Sequence, residues 1–349
     1  MSRRILIVRR ENIGDLILTT PLIRALRKAM PDAYLAALVN SYNAPVLDGN
    51  TDLNMVHVYT KGKHTDSILG AIAARYKQVM MMIQLRRQSF NDVLLAEPTY
   101  SQRNIRLAKF LLGGRRDTRV IGFEHDDGKN NGLDVVISKA NTDSLHQAQY
   151  IFLAAATYGI DTAAYKIPKS FVTPAASGVV PEVIQPLTIG LHISARKPSQ
   201  RWPVSSFVTL ARLIHQQQGA ALKLFWSPGA EDDAQHPGDD QKAKAILAEL
   251  APSVPISPTP SANLRALIDG MAAVDLVICA DGGALHVAAG LGKPIVALFG
   301  DSEVKRWHPW GVPFRTLQKP THDVSDISPS EVIEALDSLN LALKADRGL

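Results

Sequence analysis

The chain is poor in residues that could tie it together covalently or through a metal. It has one cysteine, Cys279, so no internal disulfide can form, and no Cys/His grouping has the spacing of a zinc site. Cys279 falls inside an apolar run and reads as a buried packing residue. Long hydrophobic runs are missing too. The opening segment MSRRILIVRRENIGD contains only the apolar stretch Ile5 to Val8, far short of a signal-peptide core or a transmembrane span. The expectation is a cytoplasmic protein. Aromatic residues are only 6% of the chain and the basic residues are dispersed, which disfavours nucleic acid as a partner. No short-period repeat and no low-complexity tract is present.

What is present is an ordinary soluble composition, 46% hydrophobic and 20% charged. At 349 residues the chain exceeds one typical core, so two domains are expected. A formal net charge of +5 and a pI near 9.2 favour anionic partners: nucleic acid, anionic lipid or a phosphorylated sugar. The charge does not choose among them.

The most informative stretch runs from Val274 to Gly300. Val274 to Ala280 has the length of a buried strand. Asp281-Gly282-Gly283 forms a turn, Ala284 to Gly290 starts a helix, and Pro294 to Phe299 is a second buried strand. This is a parallel βαβ unit whose helix N-terminus can receive an anion such as a diphosphate. An ordinary crossover with a tight glycine turn fits the same spacing, while Asp281 and His286 favour a site. His286, one turn into the helix, fits either a phosphate contact or a packed structural histidine.

The N-terminus repeats the pattern. Ile5 to Val8 is a strand, Arg9 to Asp15 a polar loop, and Leu16 to Met30 has helical spacing with Pro21 marking a first turn or a kink. Tyr34 to Val39 is the next strand. Asp15 fits two roles, a helix N-cap or a carboxylate at the crevice of a doubly wound sheet. Further strands are expected at Met55 to Tyr59, Val79 to Gln84, Val93 to Ala96, Arg119 to Phe123 and Asp134 to Ser138. The basic segment Ser101 to Arg119, with Arg103 and Arg106, fits an anionic surface, an anionic acceptor or a solvated helix face. A proline- and glycine-rich span, Ile160 to Gln185, is the candidate linker.

The second half starts again with a strand at Leu187 to Ile193 and a basic, helix-breaking loop through Lys197, Arg201 and Pro203. A helix at Ser205 to Gln218, a strand at Ala221 to Trp226 and a turn carrying Glu231, Asp232 and Asp233 follow. Those acids read as an acidic helix start, and no metal is expected there. Helices are expected at Gln241 to Leu250, Ser261 to Met271 and Val332 to Leu343.

Several segments together resemble glycosyltransferase family 9, the bacterial lipopolysaccharide heptosyltransferases. They are Ile13-Gly14-Asp15-Leu16-Ile17-Leu18-Thr19-Thr20-Pro21 with Leu26 and Pro31, then Arg201-Trp202-Pro203. Asp281 through Ala289, continuing through Lys293-Pro294 to Leu298-Phe299-Gly300, and Ile327 to Leu336 complete the set. They occur in the family's order across nearly the whole chain. One departure is Gly282, where the family usually carries Thr or Ser.

The resemblance implies an α/β protein of GT-B architecture, two Rossmann-like domains facing across a cleft. The implied domains are an acceptor-binding domain over 1–170 and a nucleotide-sugar-binding domain over 171–349, the last helix able to pack back on the first. It implies an inverting, metal-independent transferase without a cofactor, moving a heptose from ADP-heptose to a lipid-linked core oligosaccharide. Contact with the cytoplasmic face of the inner membrane would be peripheral. Carried over by position, Asp15 is the general base and Asp281 a donor-sugar contact. Gly282, Gly283, Ala284 and His286 line the diphosphate, Lys197 or Arg201 meets the phosphates, and Glu231 lies near the nucleotide. Lys61, Lys63, Arg103 and Arg106 are the acceptor candidates. The chemistry suits these residue types. A sugar hydroxyl needs a carboxylate to take its proton, and a departing diphosphate needs fixed positive donors. Two rivals fit the same layout: a GT-B transferase or epimerase using another nucleotide sugar, and a non-catalytic nucleotide- or sugar-binding protein.

Overall fold

The structure is a computed structural model. It describes residues 2–59, 68–125, 128, 132–140, 142–175, 187–232, 238–251 and 253–346, without side chains for 68–75, 77, 345 and 346. The chain divides into two compact units, Met1–Pro168 and Lys169–Leu349.

The first unit is built on a parallel sheet of β1 (Arg4–Val8), β2 (Tyr34–Asn40), β3 (Met55–Tyr59), β4 (Asp92–Leu95), β5 (Arg119–Phe123) and β6 (Val135–Ile137), in the order β3-β2-β1-β4-β5-β6. The central strands are continuous apolar runs because a parallel sheet is covered on both faces. Ile5, Leu6, Ile7 and Val8 are all buried. Parallel pairing of Val8 with Leu95 brings the ends of β1 and β4 level. Its helices begin with α1 (Ile13–Ile17), α2 (Thr20–Ala29), α3 (Ile68–Arg87) and α4 (Gln102–Leu112). The unit closes with α5 (Gln147–Phe152) and the 3-10 turn Leu153–Tyr158.

The second unit repeats the layout. Its sheet holds β7 (Thr188–His192), β8 (Ala221–Trp226), β9 (Ile256–Pro260), β10 (Leu276–Ala280), β11 (Ile295–Phe299) and β12 (Phe314–Gln318), in the order β12-β11-β10-β7-β8-β9. Counted from β7, this is the same strand order as in the first unit. The helices are α6 (Val204–Gln218), α7 (Asp240–Leu250), α8 (Leu264–Ala272), α9 (Gly283–Gly290), α10 (Val304–Trp307) and α11 (Pro329–Asp346). The last helix, α11, packs on α6 and β12. Trp202 is buried in this core and donates its indole N–H to the Ile327 carbonyl at 2.9 Å, pinning the loop after β7 to the segment before α11.

Both sheets are doubly wound, and the order reverses between β1 and β4 and between β7 and β10. In such sheets ligands bind beyond the carboxyl ends of the strands at the reversal. The sites to inspect are therefore the loops after β1 and β4, and those after β7 and β10.

Two local expectations change. Val79 to Gln84 is not a strand but the middle of α3. A buried parallel strand hides both faces, yet Val79 and Met80 are exposed while Leu85 is fully buried. The run is also rich in methionine, with no Gly or Pro to punctuate it, and continues an alanine-rich helix-forming segment. Leu16 to Met30 forms two helices rather than one. Pro21 lies in the first turn of α2, where its missing N–H is harmless. The Thr19 and Thr20 hydroxyls donate to the Asp15 and Ile17 carbonyls at 2.8 and 2.7 Å, satisfying the end of α1.

Candidate active site

In the first unit, the loop leaving β1 carries charge straight into the sheet reversal. Asp15 is 8% exposed and is not the N-cap of α1. That position belongs to Asn12. Asp15 Oδ2 accepts from the Asn12 backbone N–H at 3.2 Å and from Asn12 Nδ2 at 3.0 Å, so its carboxylate locks the first turn. Its other oxygen, Oδ1, accepts from Arg9 at 2.9 Å. Arg9 is fully buried, 1% exposed. It also donates to the Ala96 carbonyl beyond β4 and lies 3.2 Å from Glu11 Oε2.

Glu97 follows β4 and is buried. Both its oxygens accept from Asn104 Nδ2 of α4 at 2.6 Å, and Asn104 Oδ1 accepts from Arg10. Burial, with the neighbouring Glu97 and Asp15 carboxyls, pushes Glu11 up to about 8 against the opposing charge of Arg9. Burial lowers Arg10, with Arg103 adding to the effect, so Arg103 shares this neighbourhood. Arg106 lies on the exposed face of α4. Lys61 and Lys63 fall outside the described residues.

In the second unit, four loops at strand carboxyl ends are joined by side chains. Gln200 Nε2 donates to Asp281 Oδ2 at 3.1 Å and to Ser302 Oγ at 2.9 Å. It links the loops after β7, β10 and β11. Gly300 makes the approach possible, since a Cβ there would lie 2.3 Å from the Ser199 carbonyl oxygen. Arg201 donates to Asp239 at 2.7 Å and to Glu231 at 3.3 Å, joining the loop after β8. That loop is fastened to α7 by Asp240, which accepts from the Trp226 indole at 2.7 Å and the Gly229 N–H at 3.0 Å. Lys197 donates to Asp301 at 3.1 and 3.2 Å, which holds Asp301 below the usual carboxylate range.

The helix start in this cluster is unusual. Gly282, the N-cap of α9, adopts φ 155° and ψ −168°, a backbone region that side-chain-bearing residues enter only under strain. A Cβ there would meet nothing within 4 Å. The backbone, not a lack of space, accounts for glycine in place of a hydroxyl residue. No side chain caps α9. Gly283 opens the helix, Ala284 is buried, and His286 is 3% exposed with its ring 6.2 Å from that of Trp307. His286 is thus packed one turn into the helix.

Two buried groups lie behind the site. Lys242 donates to the Ile193 carbonyl at 3.1 Å, and burial lowers it to about 8. His192, at the end of β7, is lowered to about 4 by burial first and by Lys242 second.

Lys197, Arg201, Glu231, Asp281 and Gly282 therefore lie on loops at strand ends of the second unit, with Gly283, Ala284 and His286 in the α9 turn that follows, while Asp15 lies in α1 and Arg103 and Arg106 in α4 of the first. Sequence reading passed over Arg9, Glu11, Glu97 and Asn104 in the first unit and Gln200, Asp239 and Asp301 in the second. Arg9 and Glu11 flank the Asp15 motif and were within reach. Glu97 and Asp301 gain meaning only once the strand order is known.

The profile of glycosyltransferase family 9 (heptosyltransferase) matches residues 130–326, more than half of the chain. The chain is 24% identical over 357 residues to lipopolysaccharide heptosyltransferase 3 of Escherichia coli, covering 93% of this chain and 96% of that one. Its fold matches a family 9 glycosyltransferase from Veillonella parvula DSM 2008 with a TM-score of 0.79 at 20% identity, covering 98% of both chains. It also matches the E. coli ADP-heptose lps heptosyltransferase II with a TM-score of 0.74 at 20% identity, covering 98% of this chain and 99% of that one. The fold is GT-B, two Rossmann-like units. The chain belongs to glycosyltransferase family 9, the heptosyltransferase family, and is a glycosyltransferase.

Proposed function

We propose that the enzyme moves a heptose from ADP-heptose to a sugar hydroxyl of a lipopolysaccharide core oligosaccharide, with inversion at the anomeric carbon. The observation that carries this reading is the second unit's sheet reversal. There the uncapped start of α9 adjoins a glycine turn, Asp281 and Lys197. Amide N–H groups at a helix start suit a diphosphate. The E. coli relative, a lipopolysaccharide heptosyltransferase, supports the acceptor, and a solved neighbour described by ADP-heptose supports the donor.

In the reaction, the acceptor hydroxyl oxygen attacks the anomeric carbon while its proton passes to the Asp15 carboxylate. The bond from that carbon to the diphosphate oxygen breaks, and ADP leaves with the electron pair. The growing negative charge is met by the α9 N-terminus and Lys197, without a metal ion or cofactor. Lys197 suits the phosphates better than Arg201 does. Its partner Asp301 is half exposed, whereas Arg201 is committed to the buried Asp239. Asp281 contacts the donor sugar and Glu231 the nucleotide. Arg103 and Arg106, with Lys61 and Lys63, receive the anionic acceptor.

The lipid-linked acceptor calls for a membrane-facing surface, and α3 with α4 offers one. Tyr76, Val79, Met80 and Phe110 are exposed there, and the Arg86 guanidinium lies 5.0 Å from the Phe110 ring centroid. Arg103, Arg106 and Lys109 are exposed on the same face of α4. Apolar side chains among arginines suit an anionic bilayer surface, here the cytoplasmic face of the inner membrane. No helix among the described residues is long and apolar enough to cross a membrane.

The test is turnover with a panel of nucleotide sugars on truncated lipopolysaccharide cores, run for the wild type and Asp15→Asn. The expected result is transfer from ADP-heptose, lost in Asp15→Asn while ADP binding persists. Transfer from a UDP-sugar and not from ADP-heptose would overturn the donor. Near-normal turnover by Asp15→Asn would reduce Asp15 to a helix-capping residue.

A further inference from the structure

The loop after β1 holds more charge than a general base requires. Arg9 is buried, yet it spans three groups: Asp15 Oδ1 at 2.9 Å, Glu11 Oε2 at 3.2 Å and the Ala96 carbonyl across the sheet reversal. Burying a guanidinium is costly unless it is paired, and here the Asp15 carboxylate and the Ala96 carbonyl accept from it while the Glu11 carboxyl lies 3.2 Å from its Nε. Only one of the two carboxyls is the base. The other, Glu11, faces Arg9 from the end of β1, Arg10 from its own loop, Asp15 from α1 and Glu97 from the loop after β4. Glu97 is itself fixed by Asn104 at 2.6 Å. The Glu11 backbone is tied down as well, its carbonyl accepting from the Tyr42 hydroxyl and from Asn43 Nδ2.

We propose that Arg9 is the positioning residue for the Asp15 base, and that Glu11, beside the same guanidinium and backed by Glu97, sets how basic Asp15 is. This rests on the reading of Asp15 as the base. While Glu11 carries a proton, the charge of Arg9 bears on Asp15 alone and weakens it as a base. Once Glu11 ionises, the guanidinium is shared between two carboxylates. The Asp15 carboxylate then takes a proton more readily, with its position unchanged, because Asn12 still holds Oδ2 at 3.0 and 3.2 Å.

The sign follows from the groups named. Burial and the Glu97 and Asp15 carboxyls hold Glu11 up at about 8. Glu11 is thus mainly protonated below that pH and ionised above it. The transfer rate should rise through that region as Asp15 gains basicity. A purely structural Arg9 that stapled β1 to the loop after β4 would produce no such dependence.

The experiment measures kcat between about pH 6 and 9.5 with saturating ADP-heptose and a heptose-truncated lipopolysaccharide core. The variants are Glu11→Gln, Arg9→Lys and Asp15→Asn, and ADP affinity is measured for each to check the fold. The wild-type kcat should rise several-fold through about pH 8, and Glu11→Gln should lose that rise. Arg9→Lys keeps a cation but cannot span both carboxylates, so its kcat should fall about tenfold or more while KM for the donor stays unchanged. If Asp15→Asn turns over normally, the base assignment itself fails. If Asp15→Asn is inactive but Glu11→Gln keeps the wild-type rise, the base stands and this inference is overturned. Glu11→Gln is close to isosteric, so that arm remains decisive even if Arg9→Lys does not fold.

Discussion

Lys197 and Arg201 sit four positions apart in one loop, and their different acidic partners predict different losses that a paired experiment can separate. Lys197 and Asp301 are both about half exposed, at 46% and 50%, and an exposed pair of this kind contributes about 0–1 kcal/mol. Lys197→Ala should therefore leave the melting temperature nearly unchanged. Arg201 meets Asp239, whose side chain is 1% exposed. Removing Arg201 strands a buried carboxylate, and breaking such a pair costs about 3 kcal/mol at the lower end of the usual range. At about 2–4 °C per kcal/mol for a unit of this size, that is a drop of about 6–12 °C. ADP binding should show the opposite order. A charge-assisted bond to phosphate is worth about 1.5–3 kcal/mol, so Lys197→Ala should weaken ADP about 10- to 100-fold. Differential scanning calorimetry reads the first quantity and titration calorimetry the second. The reasoning fails if Lys197→Ala melts as early as Arg201→Ala. It fails equally if Lys197→Ala binds ADP normally.

The convergence of the donor loops and the pH response of the second unit give two more tests. Gly300→Ala would place a Cβ 2.3 Å from the Ser199 carbonyl oxygen, forcing apart the loops that carry Lys197 and Ser302. ADP affinity should fall about tenfold or more with the helical circular dichroism unchanged, whereas wild-type affinity would show that the loops need not touch. For His192, the folded-state value of about 4 lies below the ordinary histidine value. The neutral ring therefore contributes stability above about pH 6.5 that is lost as pH falls toward 4. The wild-type melting temperature should decline across that window and that of His192→Gln decline less, and equal slopes would refute the assignment.

How much of this could be read from the sequence depended on whether the cause was local. The βαβ unit around Gly282 and Gly283 was legible because an apolar strand, a glycine turn and a helix follow one another along the chain. The strands β9 and β12, ISPTP and FRTLQ, were not, since these edge strands lack the valine-rich runs that marked β3 and β6, MVHVY and VVI, and are held by a neighbour's backbone rather than by their own burial. The strand expected at Val79 to Gln84 failed for a related reason. A short apolar run does not reveal whether one face or two will be covered. Asp15 was legible as a carboxylate just beyond β1, but its N-cap reading could not be set aside without seeing Asn12 at the cap. The grip of Arg9 on Ala96, 87 residues away, could not be foreseen from spacing, because it depends on β4 pairing with β1 rather than with β3.

The repeated strand order also explains why the proposed base and the diphosphate site belong to different halves of the chain. A carboxylate base must stay proton-hungry, and a cation or helix N-terminus beside it makes it less so. A diphosphate site needs those same positive groups, and an anionic carboxylate among them would repel the donor. One sheet reversal could not serve both needs well. Two reversals of the same design can, because each loop set is then free to specialise. The first carries Asp15, Glu11 and Glu97 against Arg9 and Arg10. The second carries Lys197 and the uncapped α9, with Asp239 and Asp301 matched by basic partners and Asp281 held by the neutral Gln200 amide. Asp15 itself lies in the first turn of α1 and accepts from Arg9, so its strength as a base depends on how far a second carboxyl beside that guanidinium, Glu11, offsets the positive surroundings.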